Sequence, residues 1–243
     1  MTKFTIKTAL LEALNRFAAD WDSTRGHLAT VYVGKTELVA TNGHRIVIVP
    51  NIPLDGGVPE DARCVGDIDE PFLIPSQLIL HHVAAVRSTW EDIVETESPF
   101  TGSLVLAPNS FSRATTEVTT DGDRVRLEHD GITVSCKCEW KADTYPKHDH
   151  IGPLTSKGAP KPSRFDPKLF DGLRDIMRAA NDYGGMTLHA WDGSGTGCGP
   201  TEYRSAQGTR FVLMGMAENG KEARQAQERM KGMMRGDQPV NER

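Results

Sequence analysis

Ala40-Thr41-Asn42-Gly43-His44-Arg45-Ile46 decides how the rest of this sequence is read. Asn42-Gly43 is a turn signal, because both residues tolerate the positive φ that a tight connection requires. Before it, Glu37 to Ala40 has the alternation of a strand. After it, Arg45-Ile46-Val47-Ile48-Val49 is a β-branched run closed by Pro50. The stretch is therefore the tip of two strands, and Thr41, His44 and Arg45 bring polar groups to that tip.

Working outward, the N-terminal side completes a unit. Phe4-Thr5-Ile6 alternates like a short strand. Thr8 to Ala19 has helical spacing, with Leu10, Leu14, Phe17 and Ala18 on one face. His27 to Val33 reads as a strand joined to Glu37–Ala40 through Gly34-Lys35. The order is strand, helix, strands. It recurs downstream, where Pro71–Pro75 is a short strand and Ser76 an N-cap for a helix from Gln77 to about Arg87. Leu104–Leu106, Phe111–Ala114, Val125–Leu127 and Ile132–Cys136 are β candidates. Asp121-Gly122-Asp123 and Asp130-Gly131 mark turns between them.

Residues 154–164 are rich in Pro and small polar residues and read as a linker. A third copy follows. Phe165 ends a strand, Asp166-Pro167 opens a helix running to about Ala180, and Met186–Trp191 and Arg210–Met214 are strands around a Gly-rich segment. The tail, residues 219–243, is polar and helix-prone and reads as a solvated helix, with a partner-touching extension as the other reading. The expected division is a complete two-unit domain at 1–153, the linker, a half domain at 165–218 and the tail. The expected class is α+β, built from repeated strand-helix-strands units with antiparallel sheets.

Composition narrows the function. The chain has 243 residues, 38% hydrophobic and 25% charged, enough to bury a core. Its net charge of -5 argues against a compact, tight reader of DNA but not against a protein that surrounds DNA loosely, where the sign of one face matters. No apolar run reaches membrane-spanning length and the N-terminus has no secretory core, so the protein reads as cytoplasmic with free thiols. Cys136 and Cys138 lack a second ligand pair for zinc. Lys147-His148-Asp149-His150 has the donors for an adventitious metal but reads as a solvated loop. Gly193-Ser194-Gly195-Thr196-Gly197 lacks the lysine of a phosphate loop. No catalytic set, metal site or cofactor is expected.

Leu38 to Ile46 resembles the second-domain signature of the bacterial DNA polymerase III beta subunit, the sliding clamp family, written L-x-A-T-D-G-H-R-L; only Asn42 departs, standing at the Asp position. Three further segments match in order. Trp140 to Pro153, with Tyr145-Pro146 and Ile151, is similar to the family's F-P-x-Y-x-x-V-x-P stretch. Phe165–Phe170 resembles the helix opening of the last domain, and Phe211–Met216 its V-V-M-P-M ending. The resemblance runs to Met216, and covers a middle domain plus half of a last one.

The resemblance implies a non-enzymatic replication scaffold with a DNA-clamp fold. In that family these segments line an apolar groove for short peptide motifs of polymerases and other replication and repair proteins. Carried over, the groove comprises Leu28, Thr41, Gly43, His44, Arg45, Ile46, Pro146, Ile151, Val212, Leu213, Met214 and Met216. Gly215 stands where the family has Pro, Ala217 where it often has Arg, and His150 at a basic position. It also implies helices facing double-stranded DNA, with Lys7, Arg16, His82, Arg87, Lys168, Arg174 and Arg178 near the phosphates; a solvated helix face is the other reading. A half domain leaves a sheet edge, for which a homo-oligomer of two third units is one expectation. The alternative function is a clamp-derived module that captures clamp-binding peptides without encircling DNA.

Overall fold

Each of the first two repeats begins with a strand that runs straight into its helix. β1 (Thr2–Lys7) buries Phe4 and Ile6 on alternate positions and passes into α1 (Thr8–Asn15), which buries Leu10, Leu11 and Leu14. β6 (Phe72–Pro75) passes into α2 (Ser76–Thr96) in the same way. β2 (Thr30–Val33), β3 (Glu37–Thr41) and β4 (Arg45–Pro50) follow α1, with β5 (Cys64–Asp67) before β6. β7 (Thr115–Thr120), β8 (Arg124–His129) and β9 (Ile132–Lys137) follow α2. The last part holds α3 (Leu173–Ala179), β10 (Thr187–Trp191), β11 (Pro200–Arg204) and β12 (Arg210–Met214). The computed structural model describes residues 2–20, 23–51, 63–96, 110–148, 167–191, 200–214 and 228.

The strands form two antiparallel sheets, ordered β5-β1-β7-β8-β9 and β10-β11-β12-β4-β3-β2-β6. The first two units exchange their leading strands. β1 pairs with β7 in the register Phe4↔Val118, and β6 pairs with β2 in the register Ile74↔Val31. The third unit joins the first directly, because β12 pairs with β4 in the register Val212↔Ile46. β4 thus lies between two neighbours, which accounts for its unbroken run of buried residues from Arg45 to Val49.

The main core is enclosed by the sheets and helices, with Phe4 against Phe72 at 5.6 Å and Phe17 against Phe211 at 5.7 Å. Each fully buried side chain of this kind stabilises the fold by about 1.5–3 kcal/mol. A smaller cluster, Val39, Ile46, Ile48, Leu73, Tyr145 and Val212, lies on the outer face of the seven-stranded sheet. No helix among the described residues is long and apolar enough to cross a membrane.

Several local expectations change. Phe111–Ala114 is not a strand but a 3-10 turn at Ser110–Arg113. His27 to Val33 splits into a 3-10 turn at Gly26–Leu28 and β2. The third helix is broken into a 3-10 turn at Pro167–Phe170 and α3, with Gly172 at φ 84 between them. A Cβ at Gly172 would stand 3.1 Å from the Phe17 ring, so only glycine permits this close approach. β5, β7 and β11 fall where the sequence reading placed no strand. The linker, Leu104–Leu106, Phe165 and the tail apart from Glu228 lie outside the described residues.

Candidate functional site

The site is built on the β3–β4 turn. Thr41 Oγ1 donates to the Arg45 carbonyl at 2.7 Å and accepts from the Gly43 N–H at 3.1 Å. Asn42 Oδ1 accepts from the backbone N–H of His44 and of Arg45, at 3.0 and 3.1 Å. Either amide or carboxylate oxygen makes these bonds, so Asn42 serves as Asp would. Gly43 has φ 86, and a Cβ there would stand 3.0 Å from Arg25 Nη1 and 3.7 Å from Leu28 Cδ1. The turn is therefore closed by side-chain bonds while Gly43 keeps the space beside Leu28 narrow. The Met214 N–H donates to the His44 carbonyl at 3.1 Å, fastening the end of β12 to the turn.

Pairing then divides the expected groove between two faces. Thr41, Ile46 and Val212 are cross-strand neighbours and point the same way. Met214 follows Val212 by two and shares that outer face. Tyr145 closes it: its ring stacks on Tyr32 at 5.4 Å, and its hydroxyl donates to the Val39 carbonyl at 3.3 Å. Pro146 follows and is buried. Ile46 and Val212 are 0% and 1% exposed, whereas His44 is exposed and Met214 half-buried, so the reachable part of this face is its His44–Met214 margin. Segments 149–166 and 215–227, which follow His148 and Met214 in the chain, lie outside the described residues and include Ile151 and Met216.

Arg45 and Leu213 pair with each other and point to the opposite, inner face. Leu213 belongs to the main core. Arg45 Nη1 donates to the carbonyls of Lys168, Leu169 and Asp171, at 3.1, 3.0 and 2.7 Å, and Nη2 to that of Arg16 at 2.7 Å. Its guanidinium also lies 4.2 Å from the centre of the Phe17 ring. Burial lowers its pKa and Asp171 opposes the shift, but a guanidinium stays charged. Arg45 thus faces away from the outer margin and joins the third unit to the first. Sequence reasoning placed both residues in one groove because it lacked the register that assigns faces. It also missed Arg25, whose contact at Gly43 no motif announced.

The helix layer collects Lys7, Arg16, Arg87 and Arg178 around one cleft of about 470 Å³, together with Glu12 and Asp175. Arg16 bonds Glu12 at 3.0 Å and Asp175 at 2.6 Å, and Arg87 bonds Glu12 at 2.7 Å. Burial, then Arg63, lowers the Lys7 pKa. Lys168, Arg174 and Arg178 are exposed. His82 does not face outward. It is fully buried, its Nε2 is 2.9 Å from Thr116 Oγ1, and burial followed by His129 lowers its pKa to about 4. A half-helical period on α2 turns His82 inward while its exposed neighbour His81 faces out.

No protein-family model matches the sequence, and no curated protein matches it. Solved structures do. The DNA polymerase III beta chain of Streptococcus pneumoniae TIGR4 aligns with a TM-score of 0.51 at 14% identity, over 93% of this chain and 67% of its own. The beta subunit of Thermotoga maritima gives 0.52 at 12% identity, over 92% and 67%. The Helicobacter pylori beta clamp bound to a DNA ligase peptide gives 0.51 at 12% identity, over 89% and 66%. The chain spans about two thirds of the length of these clamps. At such identities the likeness is one of fold.

Proposed function

We propose that this chain, which has the sliding-clamp fold, is a scaffold that takes short peptide motifs of replication or repair proteins on the outer face of its seven-stranded sheet. The observation that carries this is the alignment of Thr41, Ile46 and Val212 into one apolar row, with the exposed His44 and half-buried Met214 at its open margin. His44 supplies a donor or acceptor to a peptide backbone and Met214 an adaptable apolar contact. Leu28, Gly43 and Arg25 border the turn, and Pro146, Ile151 and Met216 belong to the flanking walls of the same proposal. The neighbour that holds a DNA ligase peptide supplies the probe. Titrating that peptide should give saturable binding to the full chain, and His44→Ala with Met214→Ala should weaken it about tenfold, the effect of one good anchor. Absence of binding to the wild-type chain overturns the proposal.

A second reading concerns DNA. Around the cleft of the helix layer the cations Lys7, Arg16, Arg87 and Arg178 outnumber Glu12 and Asp175, in a chain of net charge -5. That local excess favours a face turned to duplex DNA, and residues 1–153 and 165–218 would be the full and half domains of an encircling oligomer. Retention on circular but not linear DNA, lost at high salt, is the expected outcome. Equal retention on both forms removes encirclement and leaves a peptide-capturing module.

A further inference from the structure

Among the described residues both sheets are open, and their edge strands are β5, β9, β10 and β6. An open edge presents a row of unpaired backbone groups, which natural sequences blunt with short strands, prolines, glycines or bulges. Three of these four edges are blunted. β5 has four residues, with Gly66 at φ 134. β6 also has four and ends at Pro75. β10, the edge of the third unit, shifts register between Leu188 and Ala190, which breaks the row as a bulge does. β9 differs. It runs six residues, Ile132–Lys137, and pairs with β8 in unbroken register from Arg124↔Lys137 to His129↔Ile132. It contains neither Pro nor Gly, and its one charge is Lys137 at the end.

One bond shows which groups of β9 are free. The Cys138 N–H donates to the Asp123 carbonyl at 2.8 Å, so position 138 turns its backbone toward β8. Antiparallel ladders alternate, so 136, 134 and 132 do the same, while Thr133, Ser135 and Lys137 turn theirs outward. Those three side chains are exposed, whereas Ile132, Val134 and Cys136 are half-buried, the last two against the main core. The molecule already shows what meets an edge of this kind. β4 and β12 are the last strands of the first and third units, and they pair antiparallel with each other. β9 is the last strand of the second unit and has no such neighbour among the described residues.

We propose that β9 pairs antiparallel with β9 of a second copy of this chain about a twofold axis at Ser135, so that the five-stranded sheet continues from one subunit into the next. This register alone gives every outward residue a partner within the strand. Ser135 meets the partner subunit's Ser135, and Thr133 meets the partner subunit's Lys137. Lys137 in turn meets the partner subunit's Thr133, and the next residue in that row is the partner subunit's Glu128, which lies opposite Thr133 on β8. On the inner side Val134 meets the partner subunit's Cys136, so the contact covers two half-buried apolar side chains. The pairing does not rest on peptide capture, because the His44–Met214 margin belongs to the other sheet.

Sedimentation of the full chain over a concentration series should show a monomer–dimer equilibrium. Ser135→Pro removes an outward N–H without touching the β8 ladder, and Ser135→Lys sets two ammonium groups face to face on the axis. Each should raise the dimer dissociation constant at least about tenfold, with the circular dichroism of the monomer unchanged. Oxidative cross-linking reads the register, with the wild-type chain as the background. Ser135→Cys should form a covalent dimer on its own, whereas Thr133→Cys and Lys137→Cys should do so only when mixed with each other. A chain that stays monomeric throughout the series overturns the proposal. So does a dimer that Ser135→Lys leaves undiminished, or one that Thr133→Cys alone cross-links best. Titration of the DNA ligase peptide is scored separately: a dimer that binds no peptide still supports the pairing, and a monomer that binds it removes the pairing but not the proposed function.

Discussion

The two faces of the seven-stranded sheet use the same strands for opposite purposes. Arg45 and Ile46 are neighbours in β4, and Val212 and Leu213 in β12, yet each pair divides between faces. Inward, Arg45 and Leu213 meet Phe17 and the main core. Outward, Ile46 and Val212 form a small cluster beneath Tyr145, with a margin at His44 and Met214. The inner face thus holds the third unit to the first, while the outer face carries the proposed contact surface. A motif seven residues long therefore alternates between a structural role and the proposed binding role.

Breaking the inner face should have the largest effect. Arg45→Ala removes donors from four carbonyls at once and leaves buried acceptors without partners. The loss should be about 4 kcal/mol in a urea unfolding series, and Arg45→Lys, with a single ammonium in place of the fork, should recover less than half of it. A midpoint shift worth under about 1 kcal/mol would mean that Arg45 does not hold the third unit in place.

The sheet face is the part of the site that sequence conveys least. Alternation is visible in a strand, but β4 is buried on both sides, so its run of Arg45 to Val49 has no polar phase to read. Only the Phe211↔Val47 and Val212↔Ile46 register, which comes from a strand more than 160 residues away, assigns the faces. The turn was legible because its chemistry is local: Thr41, Asn42 and Gly43 bond within four residues. The leading strands and helices were legible for the same reason. β11 was not, since Pro200-Thr201-Glu202-Tyr203-Arg204 has a buried Glu202 whose carboxylate is satisfied by Arg204 and Arg210 at 2.5 and 2.8 Å, and polar residues of that kind read as loop. Ser76 illustrates the limit of capping rules. It opens α2, but its buried hydroxyl has no partner among the described residues.

Stability also responds to acid. His82 on α2, packed against Thr116 of β7, is held neutral down to about pH 4, whereas in the unfolded chain it takes a proton near the ordinary histidine value of about 6.5. Between these values the unfolded chain binds more protons, so stability falls as pH drops through that window. The His82 contribution should be about 2 kcal/mol between about pH 7 and about pH 5. His82→Gln should flatten the acid side of the stability profile and leave the alkaline side unchanged. An acid slope equal to that of the wild type would place the titrating group elsewhere.

Adjacent truncations in β12 give the sharpest comparison, because they delete similar volumes one residue apart. Leu213 is fully buried in the main core, so Leu213→Ala should cost about 3 kcal/mol of stability, from lost burial and the cavity it leaves. Peptide affinity should hold in that variant once the chain is folded, since the side chain points away from the outer face. Met214 is half-buried at the margin. Met214→Ala should lower stability by only about 0.5 kcal/mol, but weaken capture of the DNA ligase peptide severalfold. The two measurements should therefore cross, one variant losing stability and the other binding. Parallel losses in both variants would mean that the margin is part of the core and that the peptide, if it binds, sits elsewhere. The test discriminates because residue spacing along a strand leaves no intermediate orientation: a side chain at 213 and one at 214 face opposite sides of the sheet.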